Sequence, residues 1–321
     1  MRLKIISGLL LATSFLGAQD VSLPKYKVVK GYPPNEAAAP MNAAADQGYR
    51  LLFAARLAVM RLGAAPPDTY RYLPIPDAGG QASFLNALNQ QGALGYSWVE
   101  ESTMLEKAPH PRNYEYKTLE GLKQKSRDRS YQSLLEQGFH VVAERGFGPV
   151  FMREVGDTRP AESPNSVRVV DALRTSNPMK DISELAARGY RYRGHEVSKK
   201  AAGKAVSMEQ CGSACGGPLE YRAFNVNNSG QLEKDLNLLG RDGFHVVPRS
   251  LGFPPYLAER PAKHAQSYSY RVIDATDERA TEQSLNAADR EGFVPLGFAA
   301  HVGWNVHVFV VLEKAMVSAG P

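Results

Sequence analysis

The chain has 321 residues, 43% of them hydrophobic and 22% charged, with a formal net charge of +5. That is ordinary globular composition, not the composition of a disordered or fibrous chain. The length suits two or three conventional domains or an array of smaller units. The excess of positive charge is too small and too spread out to argue for nucleic acid as a partner.

Met1-Arg2-Leu3-Lys4 is a short basic start, and Ile5 to Ala18 is an apolar stretch ending in small residues. This is the grammar of a signal peptide over residues 1–18, too short to be a transmembrane helix. Cleavage after Ala18 removes Arg2 and Lys4, so Lys+Arg falls from 38 to 36 against 33 Asp+Glu and the net charge becomes +3. No cysteine directly follows the cleavage point, which argues against a lipoprotein anchor, and no later run of 18 apolar residues occurs. The expectation is a soluble exported protein, periplasmic or extracellular, with no transmembrane segment and no nucleic-acid partner.

Beyond the leader the chain keeps a ruler. Gly48, Gly92, Gly138, Gly189, Gly243 and Gly292 each close a helix-like stretch, at steps of 44, 46, 51, 54 and 49 residues. Twenty-one residues before them stand Lys27, Arg71, Lys117, Arg168, Arg222 and Arg271, all basic. Seven before come Met41, Leu85, Tyr131, Ile182, Leu236 and Leu285, and four before come Ala44, Leu88, Leu134, Leu185, Leu239 and Ala288. Residues three apart share a helix face, so these pairs predict a buried stripe. The glycine is read as the left-handed cap that ends each helix. Each unit is therefore a strand such as Tyr268–Ile273, a turn, a helix such as 280–292, and two further strands. In the last unit those two strands flank a hairpin at Gly303-Trp304-Asn305. Proline-bearing joins separate the units, placing them at 24–63, 68–108, 113–155, 165–209, 218–260 and 267–315. The expected fold class is α+β: six tandem βαββ repeats, each a small antiparallel sheet with one helix. A unit of about 40 residues cannot bury enough apolar surface alone, so the units must pack on one another, in pairs or in a ring.

The Tyr-x-Tyr-Lys/Arg strand and the Leu-Asn helix ending in Gly-aromatic match best over Tyr268–Phe293 and Leu219–Val247. This pattern resembles the bacterial domain-of-unknown-function family 4177. The resemblance implies a compact βαββ fold and no assigned activity.

The six bases are the most regular polar feature. Gathered on one surface, they would attract an anionic ligand or envelope polymer. The plainer expectation pairs them with Glu106, Glu154, Glu259 and Glu313 on the third strands. Asn42, Asn86, Asn237 and Asn286 recur six before the glycine, with Gln132 and Ser183 in the third and fourth units. Asparagine disfavours a helix interior, so a hydrogen bond to a neighbouring loop is expected to offset that cost. His140 and His245 follow the glycine-aromatic step in two copies of GFHVV and are read as strand residues rather than catalytic bases. His301 and His307 flank the last hairpin and are the weak metal-ligand candidates. Cys211 and Cys215, close together in an exported chain, are expected to form a disulfide.

No GxSxG, HExxH or P-loop signature occurs, and no cofactor is expected. The reading is an exported, non-catalytic repeat protein that binds or scaffolds in the periplasm or envelope. Its partner would be an anionic envelope polymer or another envelope protein. The alternative is an exported enzyme of the pseudo-symmetric α/β propeller type with a Cys or His site.

Overall fold

The computed structural model describes residues 23–63, 69–100, 102–119, 124–145, 148–156, 167–171, 177–197, 204–211, 217–251, 254–262, 266–302 and 306–316. The expected leader, Trp304 and Cys215 lie outside them.

The protein is α+β; among the described residues there are six helices and six small antiparallel sheets, and it is not a closed barrel. The elements run β1 (Tyr26–Lys30), α1 (Pro34–Ala45), β2 (Tyr49–Ala54), β3 (Leu57–Leu62), then β4 (Arg71–Pro74), α2 (Gln81–Ala93), β5 (Tyr96–Trp98), β6 (Met104–Lys107). Next come β7 (Tyr114–Thr118), α3 (Gln124–Glu136), β8 (His140–Arg145), β9 (Gly148–Glu154), and β10 (Val167–Asp171), α4 (Pro178–Ala187), β11 (Tyr190–Val197), β12 (Lys204–Gln210). The last two groups are β13 (Leu219–Phe224), α5 (Ser229–Arg241), β14 (His245–Val246), β15 (Tyr256–Pro261), and β16 (Ser267–Asp274), α6 (Glu278–Arg290), β17 (Val294–Val302), β18 (Val306–Met316). In every sheet the third strand is central and the first and second are its edges.

Positive φ marks Gly48, Gly138, Gly189, Gly243 and Gly292 at the helix ends. The second group departs from the expected ruler. There the left-handed residue is Gly95 at φ 90°, three positions after Gly92. Gly92 lies inside α2, where an added Cβ would meet the Tyr114 carbonyl oxygen at 2.3 Å. A close helix-to-strand approach, not a cap, requires that glycine. Gly240 in α5 has the same relation to the Tyr268 carbonyl, also at 2.3 Å.

Each helix lies between its own sheet and the first strand of the following one, so α1 packs on β4, α2 on β7, α3 on β10, α4 on β13 and α5 on β16. α6 packs on β1. The cores are accordingly shared. Tyr72 and Met104 of the second group complete the core around Met41 and Tyr49. Tyr26, Val28 and Val59 of the first group share a core with Leu285, Val310 and Leu312 of the last.

The recurrent asparagines make these contacts specific, and their partner is a strand edge rather than a loop. The Asn42 amide accepts from Tyr72 N–H at 2.8 Å and donates to the Tyr72 carbonyl at 3.0 Å. Asn237 does the same with Tyr270, and Asn286 with Tyr26. In the second group the acting residue is Asn89, with Tyr116, while Asn86 is exposed. Counted from Gly95, Asn89 occupies the expected sixth position.

Candidate functional site

Five of the six bases, all those whose side chains are described, are committed to helix ends. Lys27 donates to Gln47 and Lys117 to Gln137, both at 3.2 Å; Arg222 pairs with Asp242 at 2.7 Å and Arg271 with Glu291 at 2.5 Å. In each case the acceptor is the polar residue preceding the capping glycine. The cation also covers the aromatic that follows it: Phe139 at 4.6 Å from Lys117, Phe244 at 4.5 Å from Arg222 and Phe293 at 4.7 Å from Arg271. A second cation from the third strand covers the same ring and caps a helix-end carbonyl: Arg153 at Gln137, Arg260 at Asp242 and Lys314 at Glu291. Positive charge at a helix C-terminus is stabilising, and so is a cation on an aromatic face. Arg71 reaches back to Asp46 at 2.7 Å. Arg168 stands opposite Met208 in the β10–β12 register, and its side chain lies outside the described residues.

The third-strand glutamates do not take these bases. They sit in the seams between successive groups. Glu106 accepts from the Tyr72 hydroxyl at 2.9 Å and pairs with Arg50 of the preceding group at 2.8 Å. The Tyr72 oxygen in turn accepts from Leu51 N–H. Glu259, Tyr221, Arg191 and Tyr192 N–H repeat the arrangement one seam before the last. In the last seam Glu313 accepts from Tyr270, and His245 stands where the other two have arginine, 3.2 Å from Glu259 and 3.8 Å from Glu313. Burial alone would raise the Glu259 carboxyl, but hydrogen bonds from His245, Arg191 and Tyr221 outweigh it and hold the pKa at about 2. Burial dominates at Glu313 and raises its pKa. Burial beside these carboxylates also pushes the Tyr72, Tyr221 and Tyr270 phenols well above their ordinary value. Glu154 is bound by Arg112 at 2.8 Å.

Residues of β2, β11, β17 and β18, with Glu100 and the segment 247–251, line a cavity of about 530 Å³. Its apolar wall comes from Leu52, Phe53, Leu251, Leu296, Phe298 and Val308. Phe53 and Phe298 meet edge to face at 4.9 Å. Its polar wall comes from Arg191, Arg193, Arg249 and Glu100. Arg249 donates to both oxygens of Glu100, at 2.8 and 2.7 Å, joining the second and fifth groups across 149 residues of sequence. Arg193 is paired with Glu209. His140 lies within the field of Glu100, Arg249 and Arg193. Desolvation by the surrounding protein lowers its pKa, Glu100 opposes this, and the two arginines add to it. Sequence reasoning missed this cavity, because its lining comes from five groups and no spacing links them.

The weak metal candidates His301 and His307 are opposite each other in the β17–β18 register, as the hairpin reading requires; the His301 side chain lies outside the described residues. Among the described residues no group of three or more His, Cys, Asp or Glu is arranged to hold a metal ion. Cys211 is not a free thiol. No described helix is long and apolar enough to cross a membrane. No family model matches the chain, and no curated protein and no solved structure is significantly similar to it.

Proposed function

We propose that this is an exported, non-catalytic protein of six tandem βαββ repeats closed into a ring, which binds a small ligand in its central cavity within the periplasm or envelope. The leader-like first 18 residues support export. The resemblance of the segments to the family 4177 unit supports repetition, and so do the six sheets of one strand order. The α6-to-β1 packing supports closure. One observation carries the binding role: the cavity is lined from five segments at once. Its lining draws on both the first and the last segments, and its volume falls in the range of small-molecule sites. Five of the six bases are assigned to capping helices rather than to an anionic polymer.

N-phenyl-1-naphthylamine, an uncharged fluorescent probe, tests the cavity. Its emission should rise on binding the native protein. The rise should be lost in Ala300→Trp and Leu52→Trp, which fill the cavity from two sides, with circular dichroism unchanged. An undiminished rise in both folded variants, or none in the native protein, overturns the reading.

A further inference from the structure

Three arginines face the cavity, and two are locked. Arg191 is held by Glu259 and Arg193 by Glu209, carboxylates whose side chains are only 3% and 13% exposed. Arg249 differs. Its partner Glu100 comes from the turn after β5, and both side chains are solvent-open, at 35% and 41%. Glu100 engages one guanidinium nitrogen, Nη2, with both of its oxygens. Nη1 makes a 3.5 Å contact with the Arg193 carbonyl. The preferred mode between guanidinium and carboxylate uses two nitrogens and two oxygens in parallel, so Glu100 is a carboxylate seated on this arginine in a suboptimal way. It can return to water at little cost, because it already lies partly in water.

From these observations we infer that the ligand is a small amphipathic carboxylate. Its apolar body lies against Phe53, Leu296, Phe298 and Val308. Its carboxylate displaces Glu100 and takes Arg249 through both terminal nitrogens. The inference rests on the cavity being a binding site. A cationic ligand on Glu100 is disfavoured, because it would take the carboxylate from Arg249 and bring no anion to replace it.

Three probes of one chain length decide it at neutral pH: decanoate, 1-decanol and decylamine, each titrated calorimetrically into the native protein, Arg249→Gln and Glu100→Gln. Decanoate should bind the native protein about tenfold or more tighter than decanol, the scale of a charged hydrogen bond. Arg249→Gln should bring decanoate down to the level of decanol. Glu100→Gln frees the arginine and should tighten decanoate several-fold while leaving decanol unchanged; it also decides the matter if Arg249→Gln fails to fold. Equal affinity for decanoate and decanol in the native protein and in Glu100→Gln overturns the carboxylate inference and leaves the cavity reading standing. So does tightest binding by decylamine. Failure of all three probes to bind overturns both.

Discussion

His140 and His245 follow the same Gly-Phe step in the same five-letter string, yet they stand in different surroundings. His140 lies in the field of Glu100, Arg249 and Arg193, whereas His245 sits between two seam carboxylates, Glu259 and Glu313. Local sequence places the histidine on its strand; what it meets is set by a neighbouring group, which local sequence cannot report. The recurrent first-strand tyrosines are visible as a pattern, but their pairing with Glu106, Glu259 and Glu313 is visible only in the seams. The titration of Glu259 gives this scale its prediction. Its folded pKa of about 2 lies below the ordinary carboxylate value of 4.5. Its contribution is therefore fully present above about pH 4.5 and is lost as pH falls towards 2. The shift corresponds to on the order of 3 kcal/mol. Urea unfolding from pH 6 down to 2.5 should show that loss. Glu259→Gln should flatten that part of the profile while lowering stability at pH 6 by about 1–3 kcal/mol, since the half-exposed Arg191 left behind can hydrate. A Glu259→Gln profile parallel to the native one would place the acid sensitivity elsewhere.

At the scale of the helices, α2 separates a pattern from its physical cause. Aligned on Gly92, Asn86 holds the recurrent position; aligned on Gly95, Asn89 does. The two glycines look equivalent as letters. One permits a left-handed turn, and the other permits a backbone to approach the helix closely, a distinction carried by the neighbouring strand β7. Five of the six expected caps were legible because each ends its helix with a polar residue, a glycine and an aromatic. The second helix has Gln91-Gly92-Ala93, and its true cap is Gly95-Tyr96. This makes Asn86 and Asn89 an internal control. Alanine at either site gains up to about 0.7 kcal/mol of helix propensity. At position 89 it also strips both backbone partners from buried Tyr116, at about 1–3 kcal/mol for each group left unsatisfied. Asn89→Ala should lower unfolding stability by about 1–5 kcal/mol, and Asn86→Ala should leave it unchanged or slightly raised. Equal effects in chemical denaturation would mean that the amide clamp does not join the two groups.

For the whole molecule, the decisive contacts span nearly the full chain. Tyr26 and Asn286 are 260 residues apart, and Lys25 meets Asp289 at 2.5 Å. The period in the sequence raises the expectation of units that pack on one another; it holds no information on whether the last segment returns to the first. A chain stopped after Pro261 separates the two arrangements. It lacks α6 and β18, and with them Leu285, Ala288, Val310 and Leu312, which share a core with Tyr26, Val28, Leu57 and Val59. In an open string, stability is a sum of nearest-neighbour terms, so removing one end leaves the other end unchanged. In the ring, the same cut strips the partner from the first segment, more than 200 residues away in sequence. Burial of these side chains is worth about 1.5–3 kcal/mol each, a loss one small sheet cannot absorb. Hydrogen exchange followed by mass spectrometry should therefore show β1 and β3 losing protection in the shortened chain, while β7 and β9 on the far side keep most of theirs. Native-like protection of β1 after the cut would mean that the first segment does not depend on the last, and closure would then contribute nothing to holding the cavity together.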